Sequence, residues 1–340
     1  MRNDRRNGVL AITAVGVTLF LWASAFVAIR GVGRQMSPGP IALGRLVVGS
    51  LVLGIGLAFR SRSGRGQPGV WRSRAVWVRL VTVGVLWFGV YNVALNAAER
   101  RIDAGTAAML VNIGPILIAV LAAVTLHEGF PRPLVLGGLT AFAGAAVIGL
   151  STSHTAGADV WGVVLCVVAA AAYAISVVTQ KPLLERLSAL QVTWVACTIG
   201  MVVCLPYAGQ LVHEARRADA STLWWVVYLG AMPTALAFTT WAYALARTSA
   251  GRLGMTTYLV PFIAVGLGWL FLGETPAALA YVGGVLCLAG VAISRRRSAG
   301  SRSAGSGQVE AEPQGAAGGD EAGGDAHRPE PEELPASSGR

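Results

Sequence analysis

Polar residues interrupt this chain at regular intervals, and the apolar stretches between them are long enough to cross a bilayer. With roughly 17 to 25 residues needed per crossing, the pattern predicts helices near 10–30, 38–58, 78–97, 104–126, 134–150, 160–180, 189–211, 222–245, 251–272 and 277–294. The expected fold class is an all-α integral membrane protein with ten transmembrane helices. The first apolar stretch follows a short basic segment, as in a signal peptide, but its length suits an uncleaved first helix.

The pattern is also written twice. Gly105, Met109, Pro115, Glu128, Gly137, Gly138 and Gly144 recur as Gly251, Met255, Pro261, Glu274, Gly283, Gly284 and Gly290, each 146 positions later. Near the start of each copy the offset is 151: Trp22 matches Tyr173, Arg30 matches Lys181, Ser37 matches Ser188 and Gly49 matches Gly200. A loop five residues longer in the first copy, around the basic stretch 59–79, accounts for both offsets. Repeat 1 covers about 10–150 and repeat 2 about 160–294. Five helices per copy is an odd number, so the second copy enters the bilayer from the opposite face. The expectation is an inverted pair of five-helix repeats sharing one transmembrane domain over 1–294, because neither copy could hide its polar faces alone.

Composition strengthens the membrane reading. The chain of 340 residues is 54% hydrophobic and 13% charged, with a mean hydropathy of +0.59, about half the charge of a soluble domain. The net charge of +10 does not read as a nucleic-acid footprint, since the 26 Arg and single Lys lie scattered in short loops. With the N-terminus in the cytoplasm, inside segments carry 18 basic residues and outside segments 6. The positive-inside bias thus puts both termini in the cytoplasm. Residues 295–340, rich in Gly, Ser, Ala, Pro and acids, are expected to form a disordered cytoplasmic tail. Arg295 to Arg297 read as an anchor on anionic headgroups.

Candidate chemistry sits at membrane depth. Pro115 and Pro261 fall near the middle of the fourth and ninth spans, where each removes a backbone donor and frees a carbonyl. Matched prolines of this kind point to a midplane site between the halves. Asn112 and Tyr258 occupy equivalent positions one turn earlier and can both hydrogen-bond a solute. Arg45 is the one formal charge deep in a span, and burying it costs about 2.5–3.5 kcal/mol on insertion scales. It must face the bundle interior, where it could hold an anionic group of the solute. Its matched position is Ala196. Trp22, Ser24, Asn92, Tyr173, Ser176 and Trp241 add aromatic faces and uncharged polar groups that suit an amphipathic organic solute. Glu128 and Glu274 close their helices, where the dipole disfavours a carboxylate. They are expected to act as hinges, accepting amides at the start of the following helix.

Other chemistry is missing. The lone Lys181 follows Gln180 rather than Gly, so there is no phosphate-binding loop. His127-Glu128 has Pro131 where a zinc protease needs His. Cys166, Cys197, Cys204 and Cys287 lie in apolar runs without a CxxC pair, so no metal or cofactor is expected. A membrane-embedded enzyme acting on a lipid or prenyl substrate would need acidic or His clusters that these spans lack. A receptor or scaffold working through the acidic tail is the other rival.

The text Leu21-Trp22-Ala23-Ser24-Ala25-Phe26-Val27-Ala28-Ile29-Arg30, then Ser37-Pro38 with Arg45, then the blocks Pro115 to Glu128 and Pro261 to Glu274, resembles the EamA family of the drug/metabolite transporter superfamily. The resemblance covers about 10–294 and both copies. It implies a secondary transporter in the bacterial inner membrane, working by alternating access. It also implies export of amino acids, other small metabolites or toxic compounds. Partners are then the solute and the lipid bilayer, not nucleic acid, and a homodimer is compatible with it.

Overall fold

The computed structural model describes residues 2–33, 35–61, 69–98, 101, 110–152, 159–272 and 278–296. Almost all of the expected tail lies outside the described residues, as does Glu274. Among the described residues the protein is entirely helical. Seven helices are long and apolar enough to cross a membrane. They lie within α1 (Arg2–Val32), α2 (Pro38–Ser61), α3 (Arg74–Ala98), α5 (Arg132–Thr152), α6 (Val160–Leu183), α9 (Ala220–Leu245) and α10 (Ala250–Phe271).

The three remaining predicted crossings appear in other forms. The seventh is a bent pair, α7 (Ala189–Val203) and α8 (Ala208–Ala215), with a bend of 53° where Leu205-Pro206-Tyr207 interrupts the ladder. The fourth and tenth are the shorter apolar helices α4 (Gly114–Thr125) and α11 (Ala278–Ser294). The stretches before them, 102–109 and 273–277, are outside the described residues.

Local sequence sets the helix starts. The Ser188 hydroxyl accepts from the Gln191 amide while the Gln191 side chain accepts from Ser188 N, a reciprocal cap of a kind worth about 0.5–2 kcal/mol. Asp159 caps α6 by accepting from Trp161 N at 2.8 Å. The outer surface is apolar at membrane depth: Phe59, Val124 and Leu270 are 70%, 70% and 67% exposed, as a lipid-facing surface requires.

Two packing regions share the bundle. In one, α5 and α11 run antiparallel at backbone contact. A Cβ built on Gly137 would lie 2.5 Å from the Gly290 carbonyl oxygen, and one on Gly144 would lie 2.5 Å from that of Gly283. The two close approaches exchange matched positions, so each is the counterpart of the other. Small residues allow such contact where apolar lipid supplies no hydrophobic drive.

The second region is the large aromatic core formed chiefly by α1, α2, α3, α6, α7, α9 and α10. Here α2 meets α9 at Gly49 and Gly230, and α7 meets α3 at Gly200 and Gly84; again the pairs are matched. Both α3 and α9 widen into a π-helical segment, Gly84–Tyr91 and Gly230–Leu236, starting at equivalent glycines. A polar side chain serves the loosened backbone in each. Asn92 Nδ2 donates to Trp87 O at 3.1 Å and Phe88 O at 3.0 Å, and Thr234 Oγ1 donates to Leu229 O at 2.8 Å. π-Helical turns of this kind recur at functional sites.

Candidate functional site

The site grows from Trp22 on α1 and its matched residue Tyr173 on α6. Trp87 stands between them, with ring centroids 6.2 Å from Trp22 and 5.3 Å from Tyr173. Phe238 and Trp241 of α9 close the cluster at 5.3 and 5.1 Å from Trp22. Phe88 packs on Phe238 at 4.6 Å, and Tyr91 reaches Tyr173 at 6.1 Å. The π-helical segment of α3 carries Trp87, Phe88 and Tyr91, so its widened turn places three rings of this cluster.

These rings bury polar atoms without satisfying them. Trp22 Nε1, Trp241 Nε1 and Tyr173 Oη are shielded from water and have no hydrogen-bond partner, although Thr257 stands beside Tyr173. Both amide atoms of Gln180, two turns along α6 from Tyr173, are likewise unpartnered. An unsatisfied buried donor costs about 1–3 kcal/mol. An indole N–H can only donate, so what would relieve this cost is an acceptor, such as a carboxylate or carbonyl oxygen.

Arg45 projects from α2 toward the π-helical segment of α9, where its Nε donates to Thr234 Oγ1 at 2.9 Å. Thr234 accepts from Arg45 and donates to Leu229 O, so one hydroxyl serves the charge and the loosened helix together. Tyr91 lies within electrostatic reach of the guanidinium, joining it to the aromatic cluster. At the matched place Ala196 meets Gly84 through its backbone carbonyl, as Arg45 meets Gly230; repeat 2 keeps the contact without the cation.

Other expected site residues are drawn into internal bonds. Ser24 Oγ shares a 2.7 Å hydrogen bond with Tyr228 Oη, and Ser176 Oγ donates to Ala172 O at 2.6 Å. Asn92 is occupied by the α3 backbone, as described above. Tyr258 is fully buried, and its hydroxyl donates to the Asn112 carbonyl at 2.9 Å. Asn112 and Tyr258 therefore face each other, matched position to matched position.

Pro261 lies midway along α10, as expected of the ninth span, whereas Pro115 stands in the first turn of α4; each follows a turn, at Thr257-Tyr258 and Asn112-Ile113. The backbone breaks before each proline instead of bending through it, because proline suits a helix start, where its missing N–H is not needed.

Polar contacts hold both ends of the core. At one end, Glu128 accepts from Ala250 N at 2.7 Å and Gly251 N at 3.0 Å. It caps α10, not the helix that follows it. His127, with φ 52°, turns the chain through the left-handed region, letting Glu128 reach across. Lys181 Nζ donates to the Leu245 and Thr248 carbonyls at the end of α9. Carboxylate on amides and ammonium on carbonyls both suit the helix dipoles. At the other end Glu214 accepts from Ser37 N at 2.8 Å and Ser37 Oγ at 2.6 Å, while Gln35 and Asp219 exchange two hydrogen bonds.

Sequence reasoning missed Trp87, Phe88, Phe238, Thr234 and Glu214. The convergence of Trp87, Phe88 and Phe238 with Trp22, Tyr173 and Trp241 shows only in the helix register and the tertiary packing. Among the described residues no cluster of three metal-ligating side chains exists.

Residues 9–150 and 160–296 each match the EamA-like transporter family. The chain belongs to that family. It is a multi-span membrane transporter, and the double match bears out the family resemblance of both copies. A relative from Streptantibioticus cattleyicolor, named "Probable terminal-alkyne amino-acid exporter", is 36% identical over 86% of this chain and 95% of its own length. The uncharacterized transporter YdfC of Bacillus subtilis is 29% identical over 85% of this chain and 92% of its own. A solved crystal structure superposes with a TM-score of 0.67 at 20% identity, covering 84% of this chain and 96% of that one; at that identity the likeness is one of fold.

Proposed function

We propose that this EamA transporter exports a small amphipathic amino acid, or a closely related metabolite, across the bacterial inner membrane by alternating access. In this reading the bundle makes ten crossings as two inverted five-helix repeats, with both termini in the cytoplasm. The contacts at the ends of the core support that count. Gly8, Thr248 and Arg295 line one cavity, which puts the start of α1, the α9–α10 turn and the end of α11 together. The antiparallel α5–α11 pair and the glycine contacts between matched positions are what an inverted duplication would produce.

The observation that carries the reading is the trio of sealed, partnerless groups on Trp22, Tyr173 and Trp241. A chamber that closes on its own unsatisfied donors is poised to accept a guest bearing acceptor oxygens. The rings offer an apolar wall to the rest of that guest, and Arg45 supplies positive charge beside them. The amino-acid exporter among the relatives supports this solute class. The Glu128 and Glu214 contacts then act as two latches, released in turn as the chamber opens to one side or the other.

The test uses proteoliposomes preloaded with L-propargylglycine, an amino acid carrying a terminal alkyne, or with alanine. Trp241→Phe keeps an aromatic ring and removes the donor. Efflux of propargylglycine is expected to fall at least tenfold, while thermal stability in detergent changes little, because relief of the unsatisfied donor offsets the cavity left by the smaller ring. Undiminished efflux from the variant would sink the assignment of this site.

A further inference from the structure

Three arginines from separate turns line one hollow at the end of the bundle where the start of α1 meets the end of α11. Arg247 follows α9, Arg252 lies in the first turn of α10 and Arg295 follows α11; all line a cavity of about 560 Å³. Among the described residues no carboxylate lines it, and none of the three makes an ion pair. Glu128 lies in a neighbouring cavity that shares Arg252, but its two oxygens are taken by the α10 amides.

Arg247 is held in place. Its Nη1 donates to Tyr243 O at 2.9 Å and its guanidinium stacks 3.5 Å above the Tyr243 ring. Guanidinium groups around one space repel one another unless an anion sits among them, and their planar donor forks match phosphate oxygens. Apart from Thr248 and Thr256 the rest of the lining is apolar. It is chiefly the flank of α1 formed by Gly8, Ala11, Ile12 and Val15, and Ile12 is 63% exposed on the membrane-facing surface. A hollow with cations on one side and a lipid-facing slope on the other fits an anionic amphiphile better than a fully soluble anion.

We propose that this cavity is a binding site for an anionic phospholipid, with the phosphodiester among Arg247, Arg252 and Arg295 and an acyl chain along α1 at Ile12. The site stands apart from the aromatic chamber, so it holds or fails independently of the solute assignment.

The experiment is native mass spectrometry of the full-length protein released from nanodiscs of equal dioleoylphosphatidylglycerol and dioleoylphosphatidylcholine. The unaltered protein is expected to retain the phosphatidylglycerol several-fold over the phosphatidylcholine. Arg247→Gln, Arg252→Gln and Arg295→Gln together should abolish that preference, each alone should weaken it, and Arg295→Lys should keep most of it. Equal retention of the two lipids by the unaltered protein overturns the proposal, as does undiminished preference in the triple variant. Displacement of the retained lipid by millimolar glycerol 3-phosphate would also overturn it, making the cavity a soluble-anion site. Should the triple variant not fold, the unaltered protein's preference and the graded single variants decide the matter.

Discussion

The α5–α11 pair and the aromatic chamber are both made of matched elements from the two copies, yet they are built on opposite principles. Along α5 and α11 the glycines bring backbone against backbone, leaving no room for even one added carbon. In the aromatic cluster, bulky rings meet side chain to side chain and bury donors without hydrogen-bond partners. The first region gains from never separating. In the proposed reading the second opens to admit a guest. A transporter needs both, since moving parts require a frame that stays put.

The largest effect should come from breaking the frame. Gly144→Leu drives a branched side chain into the Gly283 backbone, an overpacking costing at least about 1–3 kcal/mol with no side chain able to yield. Monodisperse protein on size-exclusion chromatography is expected to disappear. Gly129→Leu, at a glycine with nothing within 4 Å, should leave the profile unchanged. A normal profile for both would erase the contrast between the two regions.

A smaller effect is expected at the Arg45–Thr234 pair, which ties α2 to the loosened turn of α9 beside the chamber. Arg45→Met and Thr234→Val, singly and together, form a double-mutant cycle read by thermal unfolding and by efflux. A coupling of about 0.5–3 kcal/mol is expected, with efflux reduced in every variant that lacks Arg45. Strict additivity would mean that the two side chains do not act as one unit.

How much of this was legible beforehand differs between the same regions. The apolar runs disclosed the helices, and the repeated glycines disclosed the duplication but not that α5 meets α11. The buried charge of Arg45 was legible through its cost in lipid. Of the aromatic cluster, Trp22, Tyr173 and Trp241 were legible as rings at membrane depth, but their convergence was not. Periodicity says which face of a helix is buried but not which rings meet across the bundle, and the π-helical turns that shift the register of α3 and α9 leave no pattern in composition. The reach of Glu128 to Ala250, 122 residues away, depends on tertiary packing and a left-handed His127, neither visible in a local window. Glu274 lies outside the described residues, so its expected capping role stays a proposal.

The smallest effect belongs to the periphery of the frame. Arg101 and the Trp161 amide both donate to Asp159 and hold its carboxyl below the usual carboxylate range. Its stabilisation is therefore present above the unfolded value of about 3.9 and fades as pH falls through the lower folded value. Asp159→Asn should remove that acid-side loss from the thermal-stability profile and change little near neutral pH. A profile still falling in parallel with the unaltered protein would assign the acid sensitivity elsewhere.

The meeting of Asn112 with Tyr258 carries a consequence of its own. Leu46 meets Cys197 in the same fashion, and Ala141 meets Cys287; in each case a position touches its own duplicate. Two identical polypeptides assembled the same way would have to place like against like at all three points, tyrosine on tyrosine or cysteine on cysteine. Joining the copies in one chain lifts that restriction, so a donor side chain of one copy can meet the backbone carbonyl of a different residue type in the other.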